Sequence, residues 1–187
     1  MRIAILGAGN LGSALARRLT AGGRHVTLAF SRDRGKLEAV ARAVGARAAE
    51  PREAVAAAEI VVLATPWAAT KAALQSADVS GKLVWDCTNP LKPDISGLVL
   101  GTNTSGGEQV AAWAGSGARV VKAIPPFAEQ IAREGPLMPE DRLSPSVFVC
   151  GDDPQACNTV AALVRAIGAE PIMAGQRCPD GCHRRLL

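Results

Sequence analysis

The first twelve residues constrain this chain more than any other part. A short apolar run, Ile3 to Leu6, leads directly into Gly7, Gly9 and Gly12 with the spacing G-x-G-x-x-G, and a helix-forming segment from Leu11 follows at once. Gly7 allows a tight turn out of a strand, Gly9 lets the backbone approach phosphates, and Gly12 lets the helix pack close to the strand. The helix N-terminus then offers N–H groups without intrahelical partners and about half a positive charge, which suits a dinucleotide pyrophosphate. Three glycines alone would fit any strand–helix turn. Here a strand precedes them, a helix follows them, and a second strand begins at His25.

The rest of the chain keeps alternating. Strands are expected at Arg2–Leu6, His25–Phe30, Ile60–Thr65, Leu83–Cys87, Arg119–Ala123 and Val147–Cys150, with a short extended piece at Ala46–Ala48 and a last strand at Pro171–Met173. Helices are expected at Leu11–Ala21, Gly35–Val44, Pro51–Ala57, Ala68–Ser76, Gly106–Ala114 and Pro154–Ile167. Strands rich in Val and Ile with little alternation are buried on both faces. The expected fold is therefore α/β: a Rossmann-type doubly wound, mostly parallel sheet with helices on both faces. The proline-rich stretch Ile124 to Ser146 is long for a compact domain and is expected to be a functional or mobile loop.

Composition removes several classes of function. The 187 residues suit one domain, with 48% apolar and only 3% aromatic residues, so the core should be aliphatic. A net charge of +4 without aromatic residues interleaved among the cations gives no nucleic-acid platform and suits an anionic cofactor. No segment has the length of a membrane span, and the first apolar run is too short for a signal peptide. Cys87, Cys150 and Cys157 read as small apolar residues in a reducing compartment, so a cytoplasmic protein is expected. Cys178, Cys182 and His183 form C-x3-C-H, which misses the haem spacing and lacks a second pair for zinc. No metal site is expected, and residues 176–187 read as a disordered tail after a domain spanning 1–175.

The end of the second strand addresses the choice of nicotinamide. An acidic residue there would hold a ribose 2′-OH. Instead Ala29-Phe30 is followed by Ser31-Arg32-Asp33-Arg34-Gly35-Lys36. Ser31 can donate to a 2′-phosphate and Arg32 can fork onto it or stack on adenine, with Lys36 close in sequence. Two charge-assisted contacts of about 1.5–3 kcal/mol each would favour NADPH over NADH by well over tenfold. The competing reading has Asp33 reach the ribose while the cations form a solvated helix start.

With these residues in hand, the chain resembles the NADP oxidoreductases that depend on the deazaflavin coenzyme F420, a branch of the Rossmann reductases near pyrroline-5-carboxylate reductase. The segments that carry the resemblance are residues 1–12, Ser31-Arg32, Ala64-Thr-Pro-Trp67, Asp86-Cys-Thr-Asn-Pro90, Val120-Val-Lys-Ala123 and Val149-Cys-Gly-Asp-Asp153, over about residues 1–175. The resemblance implies an NADP(H) site in which Gly9, Asn10 and Leu11 face the pyrophosphate. It further implies that Ser31 and Arg32 hold the 2′-phosphate, that Thr65 and Pro66 line the nicotinamide ribose, and that Asn89 and Pro90 form the next loop over the nicotinamide. For Pro66 and Pro90, ordinary strand termination is the alternative; Trp67 either caps the pocket or packs the following helix.

The implied activity is hydride transfer between NADP(H) and F420 or another small-molecule hydride acceptor. Such chemistry needs little from side chains, because the cofactors carry it. The chain has no tyrosine, His25 sits at the far edge of the sheet and His183 lies in the tail, so no catalytic residue is assigned. Lys122 could meet an anionic acceptor or donate a proton, or simply snorkel to solvent. Asp86 could fix a turn. Ser105-Gly106-Gly107 could form a second anion site or a plain helix cap, while Asp152-Asp153-Pro154 reads as a cap followed by a first-turn proline. Other acceptors (a flavin, a metal or an imine) remain open, as does a non-catalytic NADPH-binding module. The resemblance also implies a helix after Gly175 that completes the acceptor site and a homodimer. Pro179 and Gly181 oppose such a helix, and this break in composition reads as a frame change or truncation.

Overall fold

A computed structural model describes residues 1–100, 103–125, 131 and 144–175. The described chain forms one eight-stranded sheet with the order β3-β2-β1-β4-β5-β6-β7-β8. The strands are β1 (Arg2–Leu6), β2 (His25–Ala29), β3 (Arg47–Ala48), β4 (Ile60–Leu63), β5 (Leu83–Asp86), β6 (Arg119–Lys122), β7 (Ser146–Gly151) and β8 (Glu170–Met173). The described helices are α1 (Asn10–Ala21), α2 (Arg34–Ala43), α3 (Pro51–Ala57), α4 (Trp67–Gln75), α5 (Gly106–Ala114) and α6 (Pro154–Ala166). All neighbouring strands from β3 to β6 are parallel, β6 and β7 are antiparallel, and β8 returns parallel to β7. This is the doubly wound, mostly parallel α/β fold that the alternating pattern predicts.

Alternation along the strands divides the core into two layers. Ile3, Ile5, Val26, Leu28, Val62 and Trp85 face α1, α2 and α6, whereas Ala4, Leu6, Val61, Leu63 and Val84 face α3, α4 and α5. Helix α1 carries Gly12, Leu15, Ala16 and Leu19 on one stripe and buries it, then stops at Gly22 and Gly23. Because β1 is central, the chain passes to β2 and β3 on one side and to β4 on the other. The C-terminal ends of β1 and β4 thus form a switch point, where open α/β sheets bind ligands.

The expected element bounds shift by only a residue or two. The one change with consequence is at β2, which ends at Ala29 because Phe30 takes a left-handed φ of 60°. Residues 176–187, with Cys178, Cys182 and His183, and most of the loop from 124 to 146 lie outside the described residues. No helix among the described residues is long and apolar enough to cross a membrane.

Candidate functional site

At the switch point the glycine turn does three different jobs. Gly7 has φ 116°, and a Cβ there would lie 2.4 Å from the Ala64 carbonyl oxygen. Its N–H donates to the Ala29 carbonyl at 2.9 Å, tying the turn to the end of β2. A Cβ on Gly12 would lie 1.9 Å from the Gly7 oxygen, so α1 packs directly against the turn. A Cβ on Gly9 would meet no protein atom within 4 Å. Gly9 caps α1 without a side-chain hydrogen bond, and no acidic residue occupies the first turn, so Asn10, Leu11 and Gly12 begin a helix whose positive end is left uncompensated.

Beyond β2, Phe30 occupies a conformation that costs a side-chain-bearing residue about 1–2 kcal/mol, and its ring packs against the second core layer. Ser31 follows, and its hydroxyl donates to the Asp33 carbonyl at 3.0 Å. Asp33 is the N-cap of α2, accepting the Lys36 N–H at 3.0 Å. That cap occupies one oxygen of the carboxylate that the competing reading would have reach a ribose hydroxyl. Arg34 is also committed, donating to Glu38 at 2.9 Å and to Glu50. Of the three cations in this stretch, Arg32 and Lys36 are exposed and make no ion pair among the described residues.

At the end of β4, Thr65 is buried with its hydroxyl 3.1 Å from that of Thr70, while Pro66 caps α4 and is exposed. Trp67, the first residue of α4, meets Trp113 of α5 with ring centroids 5.2 Å apart and planes tilted by 42°, so it packs the adjacent helix. Gly106 lies against Trp67 and Pro90, bringing the starts of α4 and α5 up to the loop after β5.

That loop is held by a network the sequence does not reveal. Asp86 is fully buried; it accepts the N–H and hydroxyl of Thr88 at 2.8 and 2.7 Å and the Lys122 ammonium at 3.0 Å. Lys122 also donates to the Thr88 carbonyl. Its side chain is only 17% exposed, which corrects the expectation that it snorkels to solvent. It neutralises Asp86 instead, because the register of β5 and β6 places the two residues side by side. Burial, reinforced by the neighbouring Asp86 charge, pushes the Cys87 thiol well above its ordinary pKa. Next in line, the Asn89 side-chain oxygen is buried with no hydrogen-bond partner among the described residues.

Two further expectations resolve. Ser105 and Glu108 form a reciprocal capping box on α5, and a carboxylate at that helix start excludes the second anion site. Asp153 caps α6, accepting from the Ala156 N–H at 2.9 Å, with Pro154 in the first turn. The loop after Pro90, which sequence reasoning passed over, is tied back by Val99 N–H donating to the Pro90 carbonyl and exposes Ile95, Leu98 and Val99. Its apolar residues are few and irregularly spaced, so periodicity carries no signal for it.

The residues present fit a phosphorylated dinucleotide. An uncapped helix end with clear space at Gly9, two uncommitted cations beyond β2 and an orphaned amide oxygen beyond β5 lie along one edge of the sheet. Fold and site together define a Rossmann-type oxidoreductase class. The chain belongs to the family described as NADP oxidoreductase, coenzyme F420-dependent, whose model matches residues 2–90. The hypothetical protein SMa0349 from Sinorhizobium meliloti is 31% identical, with a TM-score of 0.80 over 97% of this chain and 88% of that one. A proposed F420-dependent NADP-reductase from Arthrobacter sp. FB24 is 27% identical, with a TM-score of 0.78 over 94% of this chain and 85% of that one. A reductive aminase from Aspergillus terreus, solved with NADPH and ethyl-5-oxohexanoate, shares the fold at 19% identity and a TM-score of 0.70, over 99% of this chain and 58% of that one. No curated protein matches.

Proposed function

We propose that this chain transfers a hydride between NADP(H) and a deazaflavin coenzyme of the F420 type. The observation that carries the reading is the uncapped N-terminus of α1 over the clear space at Gly9, together with the uncommitted cations Arg32 and Lys36. In this reading Gly7, Gly9, Asn10, Leu11 and Gly12 seat the pyrophosphate; Ser31, Arg32 and Lys36 bind the 2′-phosphate; Thr65, Pro66, Asn89 and Pro90 border the nicotinamide riboside. The family description and the Arthrobacter relative support F420 as the acceptor.

Bound NADP(H) supplies the hydride chemistry through its nicotinamide ring. The chain's own contribution is to bind, orient and exclude water. The first turn of α1 meets negative charge with backbone N–H groups, and Arg32 discriminates by charge at the ribose. The network of Asp86, Thr88 and Lys122 keeps charge paired near the reaction edge. The apolar residues Ile95, Leu98 and Val99 give a flat acceptor ring a surface to rest on.

The test mixes the purified full chain with NADPH and, separately, oxidised F420, a free flavin or a cyclic imine, following loss of the reduced-nicotinamide absorbance. Oxidation with F420 alone supports the proposal. Turnover with flavin or imine instead reassigns the acceptor, and tight NADPH binding without any turnover identifies a binding module.

A further inference from the structure

We infer that Asp86, Thr88 and Lys122 form a lock that positions the Asn89 side-chain oxygen to accept a hydrogen bond from the nicotinamide amide. The inference rests on the NADP(H) reading above and deepens it at one end of the cofactor. Buried polar atoms in folded proteins nearly always have partners, so an amide oxygen orphaned among the described residues can take a donor from a bound ligand. The nicotinamide carboxamide is such a donor. The adenosine end of the cofactor has its own residues on the far side of β1, beyond β2.

The segment between β5 and Asn89 has little freedom. Thr88 is 1% exposed, and both its backbone N–H and its hydroxyl are fixed on one oxygen of Asp86. Lys122 grips the other Asp86 oxygen and the Thr88 carbonyl together, so one cation ties strand β6 to both ends of the turn. Trp85 donates through its indole N–H to the Ala123 carbonyl at 2.8 Å, clamping β5 to β6 beneath the turn. Five hydrogen bonds within a few residues exceed what strand termination needs. They set the direction in which residue 89 leaves the sheet. Lys122 and Thr88 touch no ligand in this account; they are positioning residues that act through Asn89.

The experiment uses the full chain with Thr88→Val, which keeps the Asp86–Lys122 charge pair and nearly the same volume, and Thr88→Ser, which restores the hydroxyl. Binding of NADPH and of adenosine 2′,5′-bisphosphate is measured by calorimetry, with thermal unfolding as the check on folding. The expected result is NADPH affinity reduced roughly three- to tenfold in Thr88→Val, the loss of one hydrogen bond. Affinity for the bisphosphate, which lacks the nicotinamide, stays within about twofold, and Thr88→Ser recovers NADPH binding. Equal weakening of both ligands, or no weakening of either, overturns the lock while leaving the NADP(H) reading intact. If the unmodified chain binds neither ligand, the NADP(H) reading falls and the inference with it.

Discussion

Replacing Gly9 by alanine separates folding from binding at the same position. Gly9 has φ −77° and ψ −169°, extended values that alanine adopts freely. Two small terms oppose each other in the ligand-free protein. Alanine is a poorer helix cap than glycine by about 0.5–1 kcal/mol, while the stiffer unfolded chain returns about 0.4–1 kcal/mol. The added methyl meets no protein atom within 4 Å, so no packing term enters. The melting temperature should therefore move by less than about 2 °C. Binding should behave differently, because the methyl occupies the space through which the backbone reaches a phosphate. Losing one charge-assisted hydrogen bond costs about 1.5–3 kcal/mol, or roughly 10- to 150-fold in NADPH affinity. Gly12→Ala supplies the contrast: its Cβ would sit 1.9 Å from the Gly7 oxygen, and overpacking of that kind lowers stability by about 1–3 kcal/mol, or some 2–12 °C. Calorimetric titration with NADPH and unfolding scans without ligand read both effects. A Gly9→Ala protein that binds NADPH within about threefold of the parent would refute the placement of the pyrophosphate.

Arg32→Ala should weaken NADPH by about tenfold or more and leave NADH nearly unchanged in parallel titrations, since the guanidinium makes no ion pair among the described residues. Lys122→Met strands the buried Asp86 charge and should destabilise by about 3–5 kcal/mol in urea unfolding, whereas Asp86→Leu combined with Lys122→Leu should recover most of that loss. Glu59 has its pKa lowered chiefly by the Arg2 backbone N–H and further by the Arg2 charge. A carboxyl depressed in the folded state stabilises above its ordinary range and ceases to do so as the pH falls through the depressed value. Glu59→Gln should accordingly lower the melting temperature slightly at neutral pH and converge on the parent as the pH falls through the depressed value, shrinking the rise between acid and neutral pH.

Much of the architecture was legible in the amino-acid order because it is local. The glycine spacing, the Val- and Ile-rich runs and the helix stripes each sit within a dozen residues, and each names its own element. The caps were legible in principle as well: Ser105 with Glu108, and Asp33 ahead of Lys36, follow the three-residue spacing of helix starts. What the sequence hides is relation across distance. Val147–Cys150 reads as a strand in either direction, and its antiparallel pairing with β6 depends on where the preceding loop delivers it. Asp86 and Lys122 stand 36 residues apart, and only the register of β5 against β6 makes them one ion pair. Phe30 reads as the last strand residue because nothing about a phenylalanine announces a left-handed backbone. Nothing in the order of residues shows that Arg34 is held by Glu50, 16 positions away at the cap of α3.

The contact between Trp67 and Trp113 has a practical consequence. The chain contains three tryptophans and no tyrosine, so its ultraviolet emission is indole light alone. Two of those indoles are in contact beside the Pro90 loop, and Trp67 abuts that loop through Gly106. Reduced nicotinamide absorbs where indole emits, so a ligand seated along this edge would quench the protein's glow and brighten its own. Occupancy can therefore be followed in the unlabelled, unmutated protein, with no reaction taking place.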